Sequence, residues 1–92
     1  MGGLRFPPGR IVATPGALEL LERYGKTPAE YLDRHLCGDW GDLGIADKRE
    51  NELSVSRGYR IFSAYEVSPL EILWITTEAK RSSTSLLLPA EY

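Results

Sequence analysis

Cysteine and histidine are nearly absent from this chain, which has one of each, Cys37 and His35. An intramolecular disulfide therefore cannot form, a cysteine-based zinc site cannot be built, and a multi-histidine metal centre is excluded. A lone thiol fits a reducing compartment, so a cytoplasmic protein is expected. Long apolar runs are missing as well. The longest is Ile72-Leu73-Trp74-Ile75, far short of the ~20 residues that a membrane-crossing helix needs. The opening Met-Gly-Gly-Leu-Arg-Phe-Pro-Pro-Gly has no apolar core of secretory length, so neither export nor a membrane partner is expected. Nor does one sign of charge dominate. Eleven basic and 13 acidic residues leave a net charge of −2, which argues against a nonspecific nucleic-acid binder working by phosphate neutralisation. It is equally too weak for an acidic mimic of DNA.

What is present is ordinary globular composition: 42% hydrophobic and 26% charged residues over 92 positions, enough for one domain, residues 1–92, with one core. Arg10-Ile11-Val12-Ala13 reads as a short strand or extended lead-in. Thr14-Pro15 then opens a helix, threonine as N-cap and proline at the first helical position. Ala17, Leu18, Leu21 and Tyr24 follow at helical spacing, and Gly25 ends the run. The signal repeats in Thr27-Pro28-Ala29-Glu30, a capping box, and Tyr31, Leu32, His35 and Leu36 share a face before Gly38. The short link predicts a helical hairpin. Ile45 to Arg57 reads as a third, mostly exposed helix whose thin apolar face is Ile45, Leu53 and the stem of Arg49, closed by Gly58.

After Gly58 the period changes from helical to alternating. Tyr59–Val67, Glu71–Glu78 and Ser83–Leu88 read as three strands joined by short turns. The expected fold is α+β: an N-terminal helical hairpin plus a third helix packed on a C-terminal three-stranded antiparallel meander. The expected core is Ile11, Leu18, Leu21, Tyr31, Leu32, Leu36, Trp40, Ile61, Leu73, Ile75 and Leu87.

The segment Arg10-Ile-Val-Ala-Thr-Pro-Gly-Ala-Leu, the loop Gly38-Asp-Trp-Gly-Asp-Leu43, the stretches Ile75-Thr-Thr-Glu78 and Arg81-Ser-Ser-Thr84, and the ending Leu87-Leu-Pro-Ala-Glu-Tyr92 together resemble a family of small bacterial proteins. These are carried on plasmids and integrative elements and are labelled plasmid-related. The resemblance spans nearly the whole chain and implies a mobile-element accessory role, with no established activity attached. A restriction-methylation label sometimes given to such proteins does not fit, because 92 residues cannot hold a cofactor-binding methyltransferase sheet. Lys80 departs from the acidic residue associated with its position, which puts a charge pairing at that turn in question.

Three constellations could carry chemistry. The loop Asp39-Trp40-Gly41-Asp42 places two carboxylates three apart on a glycine-rich turn, a conceivable cation or ligand contact. The spacing matches no calcium loop, and the plainer reading is that the acids cap the turn while Trp40 plugs the core. His35 and Cys37 lie two apart on a helix, where side chains do not face each other, so a thiol–imidazole pair is disfavoured. The polar run around the last hairpin holds Glu78, Arg81 and Thr84, with Arg60 at the start of the neighbouring strand. A solvated hairpin tip is the plain reading there. In a toxin-type ribonuclease Glu78 would be the base, with Arg60 and Arg81 on the phosphate.

With no nucleophile–base pair, metal spacing or phosphate loop, the favoured function is a non-enzymatic binding or regulatory module. No cofactor or metal is expected. The partner is expected to be another protein or a second copy, with nucleic acid a weaker candidate. The candidate contact residues are Asp39, Trp40, Asp42, Arg60, Glu78, Arg81 and Thr84. The alternative is the small nucleic-acid-acting enzyme, with Arg60, Glu78 and Arg81 catalytic.

Overall fold

Two Thr-Pro helix starts govern the first third of the chain. In the computed structural model, which describes residues 3–92, Thr14 and Thr27 are extended and their hydroxyls accept from the backbone N–H of Ala17 and Glu30. Helices α1 (Pro15–Arg23) and α2 (Pro28–Leu36) follow. Helix α3 (Ile45–Arg57) begins after Gly44 and stops at Gly58, which takes the left-handed conformation at φ 77°. The Glu30 carboxylate turns to Lys26 at 3.9 Å, so of the expected capping box the threonine half is what forms.

The strands are β1 (Arg10–Ala13), β2 (Ile61–Ser68), β3 (Glu71–Thr77) and β4 (Ser83–Leu87), and a 3-10 turn covers Pro89–Glu91. The sheet corrects the expected three-stranded antiparallel meander. It has four strands in the order β1-β4-β3-β2, and β1 pairs with β4 in parallel while the β2–β3 and β3–β4 pairs are antiparallel. The lead-in is a full member of the sheet: Arg10 N–H donates to Ser82 O and Thr14 N–H to Leu86 O, fixing Ile11 beside Thr84. Helices α1 to α3 carry the chain from β1 to β2 at the opposite edge of the sheet, and β3 and β4 bring it back beside β1.

All three helices lie on one face. Ile61, Ser63, Tyr65, Leu73, Ile75, Thr77, Thr84 and Leu86 point inward and are buried. Ala17 and Leu21 of α1 and Tyr31 of α2 pack on Tyr65, Leu73, Ile75 and Leu86. Phe6, Leu36, Trp40 and Ile61 form an adjoining cluster, touched by Val55 of α3. Most of the expected core is buried, with two corrections. Ile11 is 51% exposed because β1 is an edge strand beyond the helices' cover. Leu18 is 44% exposed because α1 turns Ala17, Leu20 and Leu21 to the sheet.

Helix α3 is the larger surprise. Its expected apolar residues Ile45 and Leu53 face solvent, and Asn51 and Ser54 are buried instead. The helix docks by hydrogen bonds. The Asn51 amide donates to Phe62 O at 2.6 Å and its oxygen accepts from Phe62 N–H at 3.2 Å, so one side chain supplies the strand partner that β2 lacks. Glu52 takes a two-pronged bond from Arg5, both arms 2.8 Å, and a third from the Trp40 indole at 3.0 Å. We expect Asn51→Ala to destabilise the fold by about 2–3 kcal/mol, because both Phe62 groups lose their partner. Asn51→Asp should also destabilise, since a carboxylate cannot donate to Phe62 O. Urea titration of the three proteins checks both.

Candidate functional site

The loop 39–42 is where the sequence placed two free-looking carboxylates, and both are engaged. Asp39 accepts from Arg34 Nε at 2.7 Å and from Gly41 N–H at 3.1 Å. The Arg34 hydrogen bond holds the Asp39 carboxyl below its ordinary range. Asp42 N–H donates to Ala64 O at 2.7 Å, and the Asp42 carboxylate accepts from Glu66 N–H at 2.8 Å. Gly41 bridges to Ala64 in parallel, at φ 76°, with the space a Cβ would need lying 2.1 Å from Ala64 O. Only glycine fits such an approach. The loop therefore serves as a partial extra strand along the edge of β2, continuing what Asn51 does one turn earlier. Trp40 is buried among Phe6 and Leu36. Among the described residues, no group of three or more acids, His or Cys is placed to hold a metal.

Behind the sheet lies a closed polar relay. His35, Ser63, Thr77 and Thr84 are all fully buried. His35 Nδ1 is 2.6 Å from Ser63 Oγ and Nε2 is 2.9 Å from Thr77 Oγ1. Thr77 Oγ1 is 2.7 Å from Thr84 Oγ1, which reaches Pro8 O at 2.8 Å. The far end fixes every proton. A carbonyl only accepts, so Thr84 donates to Pro8. Thr84 then accepts from Thr77, Thr77 accepts from His35 Nε2–H, and Nδ1 is left to accept from Ser63. Burial lowers the imidazole to about 4, so it is neutral at physiological pH. Phe6 and Trp40 meet its ring edge-on at 5.3 and 6.0 Å. Thr84, a candidate contact residue, is thus an interior link. The hydroxyls alternating with apolar residues on β2, β3 and β4 were the signal for this relay, but which of them meet depends on register.

None of α1 to α3 covers the outer face of the sheet, where the Pro89–Glu91 turn packs against β3. There Arg60 and Glu78 approach at 3.9 Å, and both side chains are about half exposed. The Arg60 guanidinium lies 4.9 Å from the Tyr92 ring centre. Phe62 meets Trp74 and Trp74 meets Tyr92, each edge-on, at 5.0 and 5.6 Å. These four side chains line a groove of about 290 Å³. A second groove of about 280 Å³, lined by Leu20, Leu70, Ile72 and Leu88 among others, lies at the other end of the strands. Phe62, Trp74 and Tyr92 are the residues that the sequence did not place in a site, although Trp74 alternates with Leu73 and Ile75 along β3.

Arg81 does not join Arg60 and Glu78 as a second phosphate clamp. It adopts φ 57°, and its guanidinium donates to Tyr59 O at 2.6 Å and Ser54 O at 2.7 Å, closing the last turn of α3 onto the β3–β4 turn. Burial pulls its pKa below the ordinary arginine value. His35 is on the opposite side of the sheet from Arg60 and Glu78, since it bonds inward-facing Thr77. The three residues of the expected RNA-cleaving set therefore do not share one cleft: Arg60 and Glu78 meet, Arg81 points elsewhere, and the chain's one histidine lies across the sheet. No family model, curated protein or solved structure matches this chain.

The relay sets a pH dependence. The folded imidazole titrates near 4 and the unfolded one near 6.5, so the unfolded chain binds the proton first as pH falls. Stability should be full above about pH 7 and fall between pH 6.5 and 4, by roughly 2 kcal/mol at pH 5. Denaturant titrations at pH 7.5 and 5 check this. The His35→Gln variant should be weaker at pH 7.5 and show a much smaller change on going to pH 5.

Proposed function

We propose that this chain is a non-enzymatic binding module, an accessory protein of a mobile element acting in the cytoplasm, and that it engages a protein partner through the groove of Arg60, Phe62, Trp74 and Tyr92. The observation that carries the reading is the outer face itself: three aromatic rings and a guanidinium gathered on a surface that α1 to α3 leave uncovered. Aromatic and arginine side chains are the ones that carry binding energy at protein contacts. Tyr92 is 68% exposed, more than interior packing needs. The polar residues that would suggest chemistry are occupied elsewhere, Asp39 and Asp42 on the β2 edge and Arg81 on backbone carbonyls. The approach of Arg60 to Glu78 is what favours the second reading, an RNA-acting enzyme with a base and one cationic group.

One set of variants separates the two. Peptides selected from a random library on the wild-type protein should bind roughly tenfold more weakly to Arg60→Ala and to Tyr92→Ala, with melting temperatures within a few degrees of wild type. Peptides that bind both variants as tightly as wild type place the contact surface elsewhere. Cleavage of RNA by the wild type that is lost in Glu78→Gln replaces the binding module with the enzyme.

A further inference from the structure

The two edges of the sheet are treated in opposite ways. The β2 edge is sealed from Phe62 to Glu66: Asn51 takes both main-chain groups of Phe62, the 40–42 loop bonds Ala64, and the Asp42 carboxylate takes Glu66 N–H. The β1 edge has no such cover. Arg10 and Thr14 direct their N–H groups to β4, so by the two-residue period Val12 does too, and Ile11 and Ala13 point theirs away from the sheet. Among the described residues, no strand, loop or side chain bonds to Ile11 or Ala13 from that side. The side chains there are β-branched and uncharged, Ile11 51% and Val12 41% exposed. Natural sheets protect such an edge with an inward charge, a bulge or a covering segment. Here the one charge is Arg10, at the end of the strand.

We propose that this edge is an interface, and that its occupant is the β1 strand of a second copy of this chain, paired antiparallel about a twofold axis through Val12. The outward-pointing groups choose that register. Ile11 exchanges both of its main-chain bonds with Ala13 of the second copy, and the twofold repeats the exchange. Val12 then faces Val12 of the second copy across the narrow, non-hydrogen-bonded position, and Arg10 faces Thr14 of the second copy, so no like charges meet. Centring the axis on Ile11 instead would pair Ala13 with Gly9, whose φ of 67° is not extended. Self-pairing suits the strand better than a foreign peptide does. The exposed ladder is only Arg10–Ala13, ended by the left-handed Gly9 and by Pro15, so a long peptide gains nothing beyond it.

The sealed β2 edge limits what this contact can build. An isologous contact uses up both β1 edges at once, and the outward edges of the combined eight-stranded sheet are the two covered β2 strands. The assembly closes at two copies and cannot grow into a filament. The twofold runs perpendicular to the sheet, so both outer faces lie on the same side of the dimer.

Main-chain bonds and a few side chains make a modest interface, so the expected behaviour is a mass by light scattering that rises from monomer to dimer with concentration. Val12→Lys sets two cations against each other at the axis and should raise the dissociation constant at least about tenfold without lowering the melting temperature, since the side chain is exposed. Val12→Cys, in a Cys37→Ser background, should give a covalent dimer under mild oxidation, because that position brings the two Cα atoms to about 4.5 Å, within disulfide range. A wild-type mass that stays monomeric at every concentration overturns the proposal, whether or not a foreign peptide can be seated on the edge. A dimer that ignores Val12→Lys, or that fails to cross-link through Val12→Cys, overturns it in favour of another face. Tyr92→Ala leaves the dimer intact, which keeps this result independent of the groove.

Discussion

The relay from Ser63 through His35, Thr77 and Thr84 to Pro8 is the contact on which the rest of the structure depends. It ties together helix α2, three adjacent strands and the N-terminal segment that leads into β1. Its four side chains are buried, and each donor and acceptor named in it has one partner, so the loss of any link leaves a neighbour unsatisfied at a cost of about 1–3 kcal/mol. It also anchors the start of β1: Thr84 holds Pro8, and the ladder from Arg10 N–H to Ser82 O and from Thr14 N–H to Leu86 O then sets the parallel direction beside β4.

A second group of polar contacts does for α3 what apolar surface does for the other helices. Asn51, Glu52 and the Ser54 carbonyl fasten it to β2, to Arg5 and Trp40, and to Arg81. Directional bonds of this kind fix position more tightly than a greasy stripe. They also explain how 92 residues can carry three helices with so few large apolar side chains on the third.

What was legible in the sequence was local. Thr14-Pro15 and Thr27-Pro28 act within one helical turn, and the switch from helical to alternating period at Gly58 reports on neighbours two to four residues away. The three C-terminal strands and their order followed from that switch. What was not legible were pairings between distant positions. The parallel union of β1 with β4 joins Ile11 to Thr84, and nothing in Arg10-Ile11-Val12-Ala13 states which strand it meets. The third helix was placed correctly but its buried face was misjudged, because Asn51 reads as polar until Phe62 is beside it. The candidate site divides in the same way. Asp39, Trp40 and Asp42 stood out by composition, yet Asp42 acts on Glu66 and Arg81 on Ser54, partners that only the fold brings near. Arg60 immediately precedes β2 and Glu78 immediately follows its neighbour β3, close enough in pattern to be paired in advance, and they do approach.

Helix α3 has a consequence for how the molecule opens. An element held by a few bonds and little apolar area detaches at a lower free energy than the whole domain unfolds. Its release would bare Phe62 N–H and O on β2 and break the ion pair that Glu52 makes with Arg5. The guard of Phe62 is thus held by less than the sheet it covers, and the time for which that end of the edge stays sealed is set by the breathing of α3 rather than by the strength of the sheet, while the 40–42 loop keeps Ala64 and Glu66 covered.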